Sequence, residues 1–173
     1  MTVIELVNQI DKAFDGVEHS AISLRQFVLT DEFGLSRDIT DSEWSEAGVN
    51  RVDSKWQEIP DAEIEECGCM LAHMDAKEFR YFLPVYIKYT LKNYRESFFG
   101  NDMLSEVVFS LYPSTRESNL YAYNIKQLSL LNTNQELAVV SYLKFITASD
   151  IYESRDAEIA LERYWDKIIA IIG

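Results

Sequence analysis

Apolar residues recur at helical intervals along most of this chain, with polar or charged residues filling the positions between them. Thr2 and Glu5 stand at capping-box spacing, and Val3, Leu6, Val7, Ile10 and Phe14 repeat with helical period until Gly16, which predicts a first helix. Ile22, Leu24, Phe27 and Val28 continue the pattern from Ser20 to about Glu32, ahead of Gly34, as a second. From Leu35 to Ile59 the periodicity weakens and charge rises. A short helix over 42–47 is expected there, inside a long, mostly irregular segment carrying Trp44 and Trp56. Pro60, followed by Asp61 and Glu63, suits a first helical turn, because proline lacks only a hydrogen that would go unused and acids favour that end. Ile64, Cys67, Gly68, Leu71 and Met74 then gather on one side, predicting a helix over 60–74.

The stretch from Asp75 to Leu91, DAKEFRYFLPVYIKYTL, opens the densest aromatic block, with eight aromatic residues between Phe79 and Phe99. Leu83, Tyr86, Ile87, Thr90, Leu91 and Tyr94 form one face; Phe82, Val85 and Tyr89 add a second. A segment apolar over so much of its circumference belongs at the centre of a bundle. Pro84 interrupts it, so a bend between two helical halves is expected. Further helices are predicted over 102–111, from Pro113 through Leu131 with Ser114 and Glu117 at capping spacing, from Thr133 to Ile146 with Glu136 in the same role, and from Ser154 to Ile172. No repeat of 30 to 45 residues is present, which argues against a solenoid. The pattern predicts an all-α, compact multi-helix bundle of one domain, with a long irregular segment near 35–59.

Composition agrees. A chain of 173 residues, 47% of them hydrophobic, has enough apolar material for one core, and three prolines with six glycines are too few for a turn-rich β fold. The start Met-Thr-Val-Ile-Glu-Leu carries an acid and no basic stretch ahead of an apolar run, and the longest purely apolar run is Ile168 to Ile172. These features predict a cytoplasmic protein without a membrane partner. Cys67 and Cys69 lie too close to bridge comfortably.

The net charge of −13 repels phosphate-rich partners, which speaks against nucleic acid and makes a basic protein the electrostatically natural partner. The charge is segregated. Twelve acids stand against three bases between Asp31 and Glu66, whereas five bases (Lys77, Arg80, Lys88, Lys92, Arg95) stand against Glu78 alone between 77 and 95. That basic island either pairs with the acidic segment inside the fold or receives an anionic ligand or partner.

The core Phe82-Leu83-Pro84-Val85-Tyr86 followed by Tyr89 and Leu91, together with Leu128 to Gln135 running into Val140 to Ile146, resembles a small uncharacterised bacterial family of helical proteins, a domain of unknown function. The resemblance covers roughly the last two thirds of the chain. It implies a helical fold and brings no catalytic residues or substrate with it.

Candidate chemistry is sparse. No glycine-rich phosphate loop, HExxH pair, GxSxG elbow or CxxC pair occurs, and His19 and His73 are the only histidines. Glu66, Cys69 and His73, three and four apart, would share one side of the helix expected over 60–74, a spacing that suits zinc or an activated thiol. Asp61, Glu63 and Glu65 offer an acidic partner-binding surface of the kind inhibitor and immunity proteins use, and Lys88, Lys92 and Arg95 a basic stripe. The expectation is a non-enzymatic interaction or adaptor protein without a cofactor, acting through 31–66. Two alternatives stand beside it: a metal- or thiol-dependent enzyme using the Glu66/Cys69/His73 trio, and a small-ligand binder with a cavity between Tyr81, Tyr86, Tyr89 and Trp165.

Overall fold

Thr2 caps the first helix as its spacing predicts: its Oγ1 accepts from the Glu5 N–H at 3.3 Å while the Glu5 carboxylate accepts from the Thr2 N–H at 2.7 Å. Helix α1, Val3–Ala13, buries Leu6 and Ile10, and Phe14 follows them into the core. The computed structural model describes residues 1–49, 51, 53–95, 102–113 and 118–172. Among these every regular element is helical, and no helix is long and apolar enough to cross a membrane. Phe98, Phe99 and the expected cap at Ser114 and Glu117 lie outside the described residues.

Helix α2, Leu24–Phe33, begins later than its periodicity suggests, because Ser23 and Gln26 form a second reciprocal cap. Ser20 instead folds into a turn, its Oγ donating to the Ile22 carbonyl at 2.7 Å. The short helix expected over 42–47 is present and slightly longer, as α3, Asp41–Val49, which buries no residue. Backbone acceptors hold it instead: Gln26 Nε2 donates to the Trp44 carbonyl at 3.0 Å and Ser23 Oγ to that of Ala47 at 3.2 Å. A Cβ at Gly48 would stand 3.0 Å from Gln26 Nε2, so a larger residue there presses on the side chain that holds α3 to α2. A 3₁₀ turn, Trp56–Glu58, then buries Trp56, whose indole donates to the Phe14 carbonyl at 2.9 Å.

The helix expected over 60–74 breaks in the middle. Helix α4, Asp61–Cys67, ends at Gly68, whose φ of 68° and ψ of −169° suit glycine alone, and a 3₁₀ turn, Leu71–His73, follows. The Tyr86 hydroxyl clasps the break, donating to the Gly68 carbonyl at 2.8 Å and accepting from the Met70 N–H at 3.2 Å. Ile64, Cys67, Leu71 and Met74 still reach the core, so the apolar stripe is real although the helix carrying it is not continuous.

Helix α5, Ala76–Asn93, is the hub, packing against α1, α4, the two 3₁₀ turns and the two helices that follow. It is one element and not a pair: the helix runs through Pro84, whose missing N–H leaves the Arg80 carbonyl without its usual helical donor. Phe79, Tyr81, Phe82, Leu83, Tyr86 and Ile87 are all buried, with Tyr81 and Phe27 meeting Phe82 edge to face at 4.9 and 6.2 Å. Helices α6, Met103–Ser110, and α7, Ser118–Leu128, complete its surroundings.

Helix α8, Thr133–Thr147, is capped one residue earlier than expected, by Asn132 with Gln135. It joins the core through α1, and the Tyr142 hydroxyl lies 2.9 Å from Thr90 Oγ1 of α5. The closing amphipathic stretch is α9, Ser154–Ala160, a π-helical turn, Leu161–Trp165, and α10, Asp166–Ile172. The widened turn seats Trp165 in the interior, its indole donating to the Leu111 carbonyl at 2.7 Å.

Candidate functional site

Most of the charged residues singled out by the sequence are consumed inside the fold. Arg25 of α2 pairs with Glu63 at 2.8 Å and Glu66 at 2.5 Å, Lys92 with Asp61 at 2.8 Å, and Lys88 with Asp11 at 2.7 Å. Glu65 accepts from the Tyr89 hydroxyl at 3.1 Å, and the Arg95 guanidinium lies 5.2 Å from the Tyr94 ring centroid. Acidic tract and basic stripe therefore meet directly at Lys92 and Asp61, while Lys88 and the acids Glu63 and Glu66 find partners on α1 and α2.

The trio Glu66, Cys69 and His73 does not share a helix face, because α4 ends at Cys67 and the chain turns at Gly68. Glu66 is held by Arg25, and His73 faces Asp31 at 3.0 Å. Among the described residues no group of three His, Cys, Asp or Glu side chains stands where it could hold a metal ion. Burial pushes the Cys69 thiol up to about 12, and burial with Glu63 nearby pushes Cys67 up to about 11, so both stay protonated and lack the thiolate a nucleophile needs. Tyr81, Tyr86, Tyr89 and Trp165 are each packed in the interior.

The basic island divides at this point. Lys77 and Arg80, unlike Lys88 and Lys92, make no salt bridge among the described residues and line a cavity of about 400 Å³. Its opposite wall is the 17–21 loop, which carries Glu18, His19 and Ser20, with Glu78 and Leu130 completing the lining. Asp75 caps α5 by accepting from the Lys77 N–H at 2.9 Å, which fixes the register that presents Lys77, Glu78 and Arg80 on the first two turns. Gln135 orients Arg80 by accepting from its Nε at 3.0 Å; the terminal guanidinium nitrogens make no hydrogen bond among the described residues.

The loop is anchored by a buried polar network. Arg51 donates to both Asp53 carboxylate oxygens at 2.9 and 2.7 Å and to the Ser20 carbonyl at 2.6 Å. Tyr81 donates to Asp53 Oδ2 at 2.6 Å. His19 Nε2 lies 3.1 Å from the Asp53 carbonyl and 3.3 Å from its carboxylate, and its ring meets Tyr81 edge on at 5.3 Å. Asp53 thus orients the imidazole.

Glu78 is the least ordinary group here. Burial, and a shared hydrogen bond with Asp75, push its carboxyl up to about 7, while the same bond holds Asp75 below the usual carboxylate range. The wall thus places an acid that holds its proton more tightly than usual beside two cations, with Glu18 on the facing loop. Sequence spacing points to none of this, since the loop residues and the α5 residues meet only through tertiary packing; the surplus of bases over acids after Lys77 was the one signal available.

No curated protein and no solved structure matches the chain. A family model does, over residues 2–169, and so spans both the loop at 17–21 and the start of α5. That span exceeds the two thirds carried by the aromatic resemblance. The chain belongs to the family of unknown function DUF6714.

Proposed function

We propose that this protein binds a small carboxylate- or phosphate-bearing anion in the cavity between the 17–21 loop and α5. The observation that supports it most strongly is that Lys77 and Arg80, in a chain of net charge −13, line a concave site and make no salt bridge among the described residues. Elsewhere in the fold cations and acids are brought together, as at Lys88 and Lys92. The pair supplies the charge, Arg80 a planar fork for two oxygens, and His19, beside Glu18, a polar group on the opposing wall. Inorganic phosphate and a panel of short mono- and dicarboxylates, followed by thermal unfolding at low salt, test this. A ligand present at a hundred times its dissociation constant stabilises by about 2.7 kcal/mol, and Lys77→Gln with Arg80→Gln removes that gain. Equal stabilisation of both proteins by every anion in the panel refutes the reading.

A second reading, an interaction protein for a basic partner, is supported by α3. It buries no residue, Glu32, Asp38, Asp41 and Glu46 around it make no salt bridge among the described residues, and Leu35 beside them is fully exposed. The contact surface then lies on α2 and α3 instead of on Asp61, Glu63 and Glu65. Poly-lysine is expected to bind Glu32→Gln/Asp41→Asn/Glu46→Gln more weakly than a control neutralised at Glu158, Glu162 and Asp166. Equal loss in both assigns the binding to net charge alone.

A further inference from the structure

A second cavity, of about 560 Å³, opens between the 71–73 turn, α6 and α9, and falls in the size range of small-molecule sites, roughly 300 to 1,000 Å³. Its lining is chiefly apolar, with Val108, Phe109 and Tyr112 on one wall, and Phe109 is 67% exposed, a large ring left uncovered at the mouth. Its charged lining residues are two acids and one base, His73, which is paired with Asp31. Glu106 from α6 and Asp156 from α9 bring carboxyl groups to it, and neither makes a salt bridge among the described residues. Behind the wall stands a third acid: Ser105, itself a lining residue, donates to Glu153 Oε1 at 3.0 Å. Glu153 is only 5% exposed, and its Oε2 has no hydrogen-bond partner among the described residues.

The bases close by are already engaged. His73, on the wall, faces Asp31 at 3.0 Å, and Arg163 is held by the Tyr112 hydroxyl and ring. The Cys69 thiol on the wall is uncharged. A chiefly apolar cavity lined by Glu106 and Asp156, its one lining base paired with Asp31, costs energy in carboxylate desolvation, and burial with Asp102 nearby pushes the Glu106 carboxyl up accordingly. A ligand that relieves this has a positive head and an apolar body; aromatic faces at the mouth suit both parts.

We infer that this cavity binds a small organic cation, an amine with an aromatic or branched aliphatic body, its ammonium placed between Glu106 and Asp156 and its apolar part against Phe109 and Tyr112. The two cavities share no lining residue, so the cation site stands independently of the anion site. Three probes of one shape and different charge decide it: 2-phenylethylammonium, 2-phenylethanol and 3-phenylpropanoate, titrated by calorimetry or ligand-observed NMR. The amine is expected to bind about tenfold or more tighter than the alcohol, the worth of one charge-assisted hydrogen bond, with the carboxylate weakest. Glu106→Gln with Asp156→Asn, both at exposed positions, removes the advantage of the amine and leaves the alcohol unchanged, whereas Phe109→Ala weakens both. Absence of amine binding, or an alcohol or carboxylate that binds as tightly, overturns the assignment on the unmodified protein, without recourse to any variant.

Discussion

Asp53→Ala is expected to lower the stability of this protein by about 3 kcal/mol, among the largest effects available from one polar residue. The carboxylate is 8% exposed and the Arg51 side chain paired with it 14%, so the substitution leaves a largely buried guanidinium without its counter-ion. It also removes the acceptor of the Tyr81 hydroxyl on the hub helix. Asp61→Ala makes the contrast: that acid meets Lys92 with both side chains about half exposed, and its loss costs below about 1 kcal/mol. Chemical denaturation of the two variants against the unmodified protein separates the cases, and equal losses would sink the account of Asp53 as a buried keystone. The pH dependence points the same way. Burial raises the Asp53 carboxyl, but the hydrogen bonds from Arg51 and Tyr81 more than offset this and hold it below its ordinary range. A lowered carboxylate stabilises above its unfolded value and loses that contribution as pH falls through its folded value, so the Asp53 share disappears below about pH 4. Because Arg51 and Asp53 also tether the 17–21 loop, Asp53→Ala is expected to weaken anion binding although it does not line that cavity.

What the sequence made legible is what short-range periodicity encodes. The cap at Thr2, the central burial of the 79–91 stretch and the span of α6 follow from spacing within a few residues. The break at Gly68 did not, because the apolar stripe from Ile64 to Met74 is compatible with an unbroken helix; the clasp that favours the turn comes from Tyr86 on another element. The short helix expected over 42–47 is present as α3, but its docking was not legible, since it buries nothing and is held by donors on α2 to its backbone carbonyls. The widened turn at Leu161–Trp165 is equally silent, as a helical apolar pattern reads the same whether or not one turn holds an extra residue. For the site, the basic island was visible but its partition was not. Which lysine meets an acid depends on whether α1 and α4 pack beside it, as they do at Lys88 and Lys92, or whether a loop leaves a cavity, as at Lys77.

Glu78 should betray itself in the stability profile. Its folded carboxyl titrates at about 7, above the value near 4.5 of an unfolded chain, so between those limits the folded state holds a proton the unfolded state has released. Its contribution therefore falls as pH rises from about 4.5 and levels off above about 7, the reverse of the Asp53 profile. Glu78→Gln abolishes the titration while an amide N–H still donates to Asp75. A tenfold change in proton affinity is worth about 1.4 kcal/mol, and both water at the cavity and the opposite displacement of Asp75 reduce the total. The variant is accordingly expected to be more stable by about 1–2 kcal/mol at pH 8 and near parity at pH 5. Asp75, Lys77, Arg80, His19, Glu18 and Lys126 surround the carboxyl, but all are common to both proteins, so the difference between the two profiles isolates Glu78. Parallel profiles would show that this acid is ionised in the folded state like any surface glutamate. If the profiles diverge, the same proton governs the cavity: a protonated Glu78 leaves Glu18 as the one acid lining it beside Lys77 and Arg80, and phosphate affinity rises from pH 8 to pH 6 more steeply in the unmodified protein than in the glutamine variant.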